Sequence, residues 1–561
     1  MKLVTISEMQ RVEKEANSTG LTYDRMMENA GRGLADVINK RFSSDLDGGV
    51  IGLVGSGNNG GDTLVALSRL SERGWKATAY IVGKRTQDDP LVQQLKLFQG
   101  TLLWVDEDPG FARLKAALEE HKILLDGILG TGFKLPLRGS VAEVLGFVKS
   151  HLETSRGRMI VVAVDCPSGI DCDTGETAAE TIPADLTVTM AAAKTGFFVF
   201  PANDYLGDLT LVGIGLDEED ERLVTWHSIK RMVVTSDWVR RLLPVRPRDA
   251  HKGTFGTALI VAGSVNYTGA ALLAGKAAYR VGAGLVTLAV PSPLHTILAG
   301  ELPEATWLLL PDEMGVISED AGEILIDNLG RSTAILLGPG FGLENETERF
   351  ISRLLSLNKY EKGIGFIPSP TREARRIQAM LPPAVIDADG LKLLSRVKDW
   401  PSKLPSLSIL TPHPGEMAIL TGLEVKEIQQ NRLPVAEKYA VEWNHVVVLK
   451  GANTVIAAPD GRTAIVPVAT PALARAGSGD VLAGLIVGLR AQGVGPFEAA
   501  ACACWLHAAS GLEAARSFGT PVSVIAGDLL ESVIRVLRDL EQGTDEYEKT
   551  GSTRSKRKYE V

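Results

Sequence analysis

Val50-Ile51-Gly52-Leu53-Val54 runs directly into Gly55-Ser56-Gly57-Asn58-Asn59-Gly60-Gly61-Asp62, and the helix-like stretch Thr63–Leu70 follows. An unbroken apolar run suits a strand buried on both faces, as in parallel sheets covered by helices. The same pattern recurs outward from this point. Apolar runs at Ala77–Val82, Ile123–Leu125 and Ile160–Val164 are each separated by helix-length segments. Further runs stand at Ala258–Ala262, Leu285–Val290, Ala334–Leu337, Ala384–Ile386 and Val446–Leu449. Strand and helix in alternation predict an α/β fold, arranged as two three-layer α/β/α domains.

The alternation halts at the acidic run Leu216–Glu221, after a last strand expected at Leu209–Val212, and a new block opens at Trp238. This places a boundary between about 216 and 236, with domains expected at 1–220 and 230–540. The polar residues 541–561 read as a disordered tail, and Lys359–Pro383 reads as an insertion before the strand at Ala384. Hydrophobic residues at 45% and charged residues at 23% exclude wholesale disorder. A net charge of −9 argues against a nucleic-acid partner, since neutralising phosphates takes a basic surplus. The four cysteines, Cys166, Cys172, Cys502 and Cys504, form no C-x-x-C pair and read as buried thiols in a reducing cytoplasm. The first residues, MKLVTISEMQRVEKEANSTG, lack the apolar core of a signal peptide. No apolar run reaches the roughly 20 residues of a membrane span, so no membrane partner is expected.

Gly55, Gly57 and Gly60 satisfy G-x-G-x-x-G at a strand-to-helix turn, which offers backbone amides to a phosphate. A dinucleotide dehydrogenase would place an acid at the end of the next strand, but Lys84 and Arg85 stand there, so that class is disfavoured. Asn58-Asn59-Gly60-Gly61-Asp62 instead packs side-chain oxygens where amides and a hard cation could be served together. A plain Gly/Asn turn with a cap at Asp62 is the structural alternative. Leu125-Asp126-Gly127, leading to Gly130-Thr131-Gly132-Phe133, and Val164-Asp165-Cys166-Pro167-Ser168-Gly169 end two further strands. Ligands of open parallel sheets sit at such strand ends, so Asn59, Asp126, Asp165 and Ser168 are expected to converge.

In the second half, Ala476-Gly477-Ser478-Gly479-Asp480 precedes an apolar helix. Small residues there expose consecutive amides as an anion hole, and Asp480 at its edge is placed to take a proton from an attacking hydroxyl. No G-x-x-x-x-G-K-[ST] loop occurs. Lys450-Gly451-Ala452-Asn453-Thr454 ends a strand and can hold nucleotide phosphates. Thr411-Pro412-His413-Pro414-Gly415-Glu416 holds a histidine rigidly between prolines. Gly338–Gly342, Gly282-Ala283-Gly284 and Gly263–Gly269 add open backbone.

On Met27-Glu28-Asn29-Ala30-Gly31, NNGGD, DGILGTG and VDCPSG, the first 215 or so residues resemble the NAD(P)H-hydrate epimerase domain. The resemblance implies a Rossmann-like domain, potassium on Asn59, Asp126 and Ser168, and hydrate contacts from Asn58, Asn59, Gly60, Gly61, Asp62 and Asp165. The strap Gly130, Thr131, Gly132, Phe133, Lys134, Leu135 and Pro136 would complete them. Asp165 would be catalytic, moving a proton and offsetting a transient ring cation as the C6 hydroxyl leaves and returns. Thr63 stands where the family commonly has glycine and would crowd the ligand slightly. On HKGTFG, GSVNYTGA, GAGLV, GPGFG, DADGL, TPHPGE, KGANT and GSGD, residues of about 250 to 530 resemble the ribokinase-like ADP-dependent NAD(P)H-hydrate dehydratase. That implies hydrate contacts at Ala283, Gly340, His413 and the catalytic Asp480. ADP would lie on Lys450, Gly451, Ala452, Asn453, Thr454 and Gly479, with Mg²⁺ oriented by Asp387 or Asp389. The family also suggests a homotetramer. Two competing readings are a ribokinase-like vitamin kinase and a non-catalytic N-terminal binding module.

Overall fold

The computed structural model describes residues 1–155, 159–357 and 380–543. The expected insertion, up to residue 379, and the expected tail, from 544, lie outside the described residues. The chain divides into two compact units, Met1–Val233 and one that begins at Val234.

In the first unit a seven-stranded parallel sheet runs Thr101–Trp104, Ala77–Ile81, Val50–Val54, Ile123–Gly127, Ile160–Val164, Leu186–Met190, Asp208–Val212. Strand Val50–Val54 shows why its sequence does not alternate. Val50 and Val54 enter one core with Leu34, Ile38 and Leu67, while Ile51 and Leu53 enter another with Leu118, Val144 and Val148. Both faces are covered, so every position is apolar. Gly52 is the exception because helix Asn58–Glu72 presses on it: a Cβ there would lie 2.7 Å from Thr63 Cγ2. The chain leaves Val50–Val54 toward one edge and returns at Ile123–Gly127 toward the other. This pair is the sheet's switch point, where a crevice opens beyond the strand ends.

The second unit's main sheet follows the same logic. Thr257–Val261 lies between Leu285–Pro291 and Ala334–Leu337, with Thr306–Leu310 beyond the former. Past Ala334–Leu337 come Ala384–Ile386, Ile409–Leu410 and Val446–Leu449, all parallel. An antiparallel hairpin, Val455–Ala457 and Thr463–Ile465, then follows. The switch point falls between Thr257–Val261 and Ala334–Leu337, where Gly263 N–H donates to Pro339 O at 2.8 Å. Helix Ser478–Ala491 crosses this unit against helix Thr268–Arg280. Gly484 and Gly488 allow the approach: Cβ atoms there would lie 2.3 Å from Ala274 O and 2.5 Å from Val281 Cγ1. Among the described residues no helix is long and apolar enough to cross a membrane.

Candidate active sites

The NNGGD segment is not a loop. Asn58 already begins helix Asn58–Glu72, whose N-cap is Gly57 without any side-chain cap. The expected alternative of a cap at Asp62 is therefore replaced by a helix whose first amides stay open, a natural anion site. Glycine at 55 is a steric requirement, since a Cβ would meet Ile128 O at 1.8 Å. Arg85 braces the turn by donating to Gly55 O and Gly57 O, each at 2.9 Å, and pairs with Asp89 at 2.7 Å. Thr63 does not crowd a ligand. Its hydroxyl donates to Asn59 O at 2.7 Å and its side chain faces Gly127 and Gly52, on the side of the helix that packs on the sheet.

Asn59, Asp126 and Ser168 do come together. The Ser168 hydroxyl donates to Asp126 Oδ1 at 2.5 Å and its N–H to Oδ2 at 2.8 Å. Asn59 Nδ2 donates to Val164 O at 2.5 Å and to Leu129 O at 2.9 Å. Burial pushes the Asp126 carboxyl up, against the hydrogen bonds from Ser168. Two carbonyls, a carboxylate, a hydroxyl and an amide thus lie together in one buried cluster. With the Asn59 amide turned to present its oxygen, the set would offer oxygen donors around a single carboxylate, the donor type that suits a hard cation of low charge. Among the described residues no cluster of three or more His, Cys, Asp or Glu could hold a metal ion. Gly130 lies against Asn59, and the strap through Thr131, Gly132, Phe133, Lys134, Leu135 and Pro136 continues from there, half-buried to exposed.

Asp165 sits in the left-handed region, φ 63°, at the end of Ile160–Val164. Its Oδ1 accepts from Met190 N at 2.9 Å, from Thr189 Oγ1 at 3.1 Å and from the ammonium of Lys194. Lys194, 1% exposed, also donates to Thr189 Oγ1 at 2.8 Å. Asp62 is pushed well up by burial, then by the negative charges of Asp165 and Glu13, and Glu13 is raised by burial and Asp165. Lys194 and Glu13 were absent from the expected site. A lysine inside the apolar stretch Met190-Ala191-Ala192-Ala193-Lys194 was the available signal, because a buried lysine needs a partner.

In the second unit Gly477, φ 85°, caps helix Ser478–Ala491 without a side chain; Ser478 N–H donates to Arg475 O at 3.3 Å, and the Gly479 and Asp480 amides are left open. The Ser478 hydroxyl is spent on Leu473 O and Arg475 O. Lys450 lies nearby: a Cβ on Gly479 would be 3.8 Å from Lys450 Nζ and 4.0 Å from Asp387 Oδ2. Lys450 Nζ bonds Asp387 at 2.7 Å and faces Glu416 at 3.6 Å. Lys450 N–H donates to Pro412 O at 2.9 Å, so KGANT, TPHPGE and GSGD meet. Burial lowers the Lys450 pKa, but Asp387, Glu416 and Asp480 outweigh it and the net direction is up. Burial pushes Asp480 up to about 7, with Asp387 and Asp389 adding and Lys450 opposing.

The 38%-identical bifunctional NAD(P)H-hydrate repair enzyme of Moorella thermoacetica matches over 551 residues, 97% of this chain and 98% of its own. This chain belongs to the bifunctional NAD(P)H-hydrate repair enzymes. The relative from Salinibacter ruber is 35% identical, covering 92% of each chain. Family models described as YjeF-related protein N-terminus and NAD(P)H-hydrate dehydratase match residues 23–196 and 258–535. A solved ADP/ATP-dependent NAD(P)H-hydrate dehydratase from Bacillus subtilis, co-crystallized with ATP/Mg²⁺, is 32% identical, covering 55% of this chain and 98% of that one at a TM-score of 0.45. The chain is thus an enzyme with an epimerase and a dehydratase part, and the kinase and binding-module readings are not favoured.

The second unit places three groups of expected site residues as follows. His413 is the N-cap of helix Pro414–Thr421: its Nδ1 accepts from Gly415 N at 3.0 Å and Glu416 N at 3.2 Å. Burial, then Lys450 and Lys392, lower its pKa, so the neutral ring keeps one N–H, at Nε2. Asp387 is engaged by Lys450 and by Thr411 Oγ1 at 2.6 Å, and Asp389 by Gly342 N at 3.1 Å and Lys392 at 3.0 Å. Both donors to Asp387 bond Oδ1, so its Oδ2 is left facing Gly479, whereas both oxygens of Asp389 are engaged. Ala283 stands apart from Gly340, His413 and Asp480. It precedes strand Leu285–Pro291, and its neighbour Gly284 packs beside Gly256, which touches Ala491 O at the far end of the GSGD helix. Eleven residues of helix separate Asp480 from Ala491, about 16 Å along the axis.

Proposed function

We propose that the first unit interconverts the two C6 epimers of hydrated NADH or NADPH and that the second unit dehydrates the S epimer at the expense of ADP. The observation that carries the reading is the half-buried Asp480. It stands at the open Gly479 and Asp480 amides and beside the Lys450–Asp387–Glu416 network, at the carboxyl ends of the strands.

In the first unit the dinucleotide's phosphates lie on the open amides of helix Asn58–Glu72, with the strap Gly130–Pro136 over the ligand. A potassium ion held by Asn59, Asp126 and Ser168 would add fixed positive charge beside those anions. At the ring, the nitrogen lone pair expels the C6 hydroxyl, which leaves as water on taking a proton. Asp62, whose carboxyl burial pushes well up, supplies that proton. Asp165, fixed by Lys194, Thr189 and Met190, offsets the ring cation until water returns on the other face.

In the second unit ADP lies on Lys450–Thr454 and Gly479. The ring hydroxyl attacks the β-phosphorus, its proton passes to Asp480, and the bond to AMP breaks. Phosphate is then a good leaving group: the C6–O bond breaks, C5 loses a proton, and NAD(P)H and phosphate are released. Mg²⁺ would supply charge neutralisation on the nucleotide's phosphates. The Asp387 oxygen that faces Gly479 would be the protein group nearest to hand for orienting it there. A cytoplasmic setting suits four buried free thiols, and a homotetramer remains part of the proposal. The test is incubation with mixed-epimer hydrate, ADP, Mg²⁺ and K⁺. Full return of dihydronicotinamide absorbance with one AMP per turnover is expected, and recovery of only part of the hydrate would refute the epimerase half.

A further inference from the structure

Arg432 opens helix Arg432–Trp443 and reaches back to the end of strand Val446–Leu449. Its guanidinium donates to Leu449 O at 2.8 Å, to Lys450 O at 3.3 Å and to Gln429 Oε1 at 3.3 Å. Its Nε is buried with no hydrogen-bond partner among the described residues. Burial pulls its pKa down to about 10, which leaves it charged at neutral pH. No carboxylate lies within ion-pairing distance of it among the described residues, whereas the two lysines of this site are neutralised, Lys450 by Asp387 and Glu416 and Lys392 by Asp389. Arg432 also sits in the first turn of its helix, where the dipole disfavours a cation.

A half-buried cation whose Nε is shut off from solvent and that has no counterion is costly to keep. The neighbouring loop has been shaped around this one. Gly451 adopts φ 144°, and a Cβ there would lie 2.9 Å from the Arg432 Nη1. The guanidinium thus holds the Leu449 and Lys450 carbonyls and brings to this loop a positive charge that no carboxylate neutralises among the described residues. An anion of the phosphate class on this loop would supply the missing counter-charge.

We propose that Arg432 is a positioning residue for the nucleotide: it holds the Lys450–Gly451 peptide open and sets the uncompensated charge that favours the phosphates of ADP. The proposal rests on placing ADP at Lys450–Thr454. In the full chain, Arg432→Gln is expected to weaken ADP and AMP binding by about tenfold or more, as for loss of a charged hydrogen-bonding group. Adenosine binding should be unchanged, KM for ADP should rise while kcat at saturating ADP is kept, and Arg432→Lys should recover part of the loss. Unchanged ADP binding, or equal loss for ADP and adenosine, would overturn it. Gly451→Ala separates the two levels: if this variant binds ADP normally, the placement of ADP on the loop is wrong. If it loses ADP while Arg432→Gln does not, only the role of Arg432 falls.

Discussion

Lys194 donates its ammonium to the same Asp165 oxygen that the Thr189 hydroxyl and the Met190 amide hold. Three donors on one oxygen fix the carboxylate and leave its other oxygen without a hydrogen bond among the described residues. Lys194→Met is expected to lower epimer exchange by about 10²–10⁴, the usual span for a group controlling proton transfer or charge at the reacting atom. Dehydration of purified S hydrate should stay normal, since it belongs to the second unit. Exchange of R into S, followed by chromatography without ADP, is the measurement, and undiminished exchange would discard the role.

Ser168→Ala removes a hydroxyl that bonds Asp126 and also accepts from Leu129 N at 2.9 Å. Asp126 is fully buried, so losing the bond leaves its carboxyl short of a partner. The potassium concentration for half-maximal exchange is expected to rise by about tenfold, with maximal exchange approached at high K⁺. A titration of exchange rate against KCl, with choline chloride holding ionic strength, checks this. An unchanged half-saturation point would show that Ser168 only supports the strand end.

The strands and the strand-end motifs were legible because both depend on local pattern. Val50–Val54 and Ala334–Leu337 are apolar throughout since both faces are covered, and the glycines after them mark where backbone must pass close to backbone. What eluded the sequence was set by contacts distant in the chain. Asn58 looked like loop because no cap residue precedes it, yet Gly57 caps the helix and frees its amides. Lys194 lies 29 residues beyond Asp165, in a segment without motif. Thr63 seemed to face the ligand, but only the packing of its helix on Gly127 and Gly52 reveals that it faces the sheet. The motif around Ala283 gave no hint that it lies at the opposite end of the strands from Asp480.

Asp480 works as a base only when ionised. Burial, with Asp387 and Asp389 adding and Lys450 opposing, sets its pKa at about 7, so the dehydration rate should climb as pH rises through about 7 and level off above it. Asp387→Asn removes a negative neighbour and releases the Lys450 ammonium, and both changes favour the ionised Asp480. The acid limb should therefore move to lower pH even if the maximal rate falls. Asp480→Ala should lose about 10²–10⁴ of the rate at every pH. The kcat–pH profile with saturating ADP decides, and an acid limb that stays in place in Asp387→Asn would break the argument.

His507 lies beneath the GSGD turn, buried, with Nε2 lacking any partner among the described residues. Burial lowers its pKa to about 4, with Lys450 adding and a bond toward the Ser478 backbone opposing. A folded-state pKa below the unfolded value of about 6.5 means that the unfolded chain binds the proton first. The stability linked to His507 is therefore fully present above about pH 6.5 and drains away as pH falls toward 4. The loss is of order 3 kcal/mol at the full 1.36 kcal/mol per unit. His507→Leu fills the space without titrating, so it should narrow the fall in Tm between pH 7.5 and pH 5 while changing the pH 7.5 value much less. Melting of the full chain at the two pH values, followed by loss of dehydratase activity, tests it. If His507→Leu and the unaltered chain lost the same number of degrees, the buried ring would not be the acid-sensitive element.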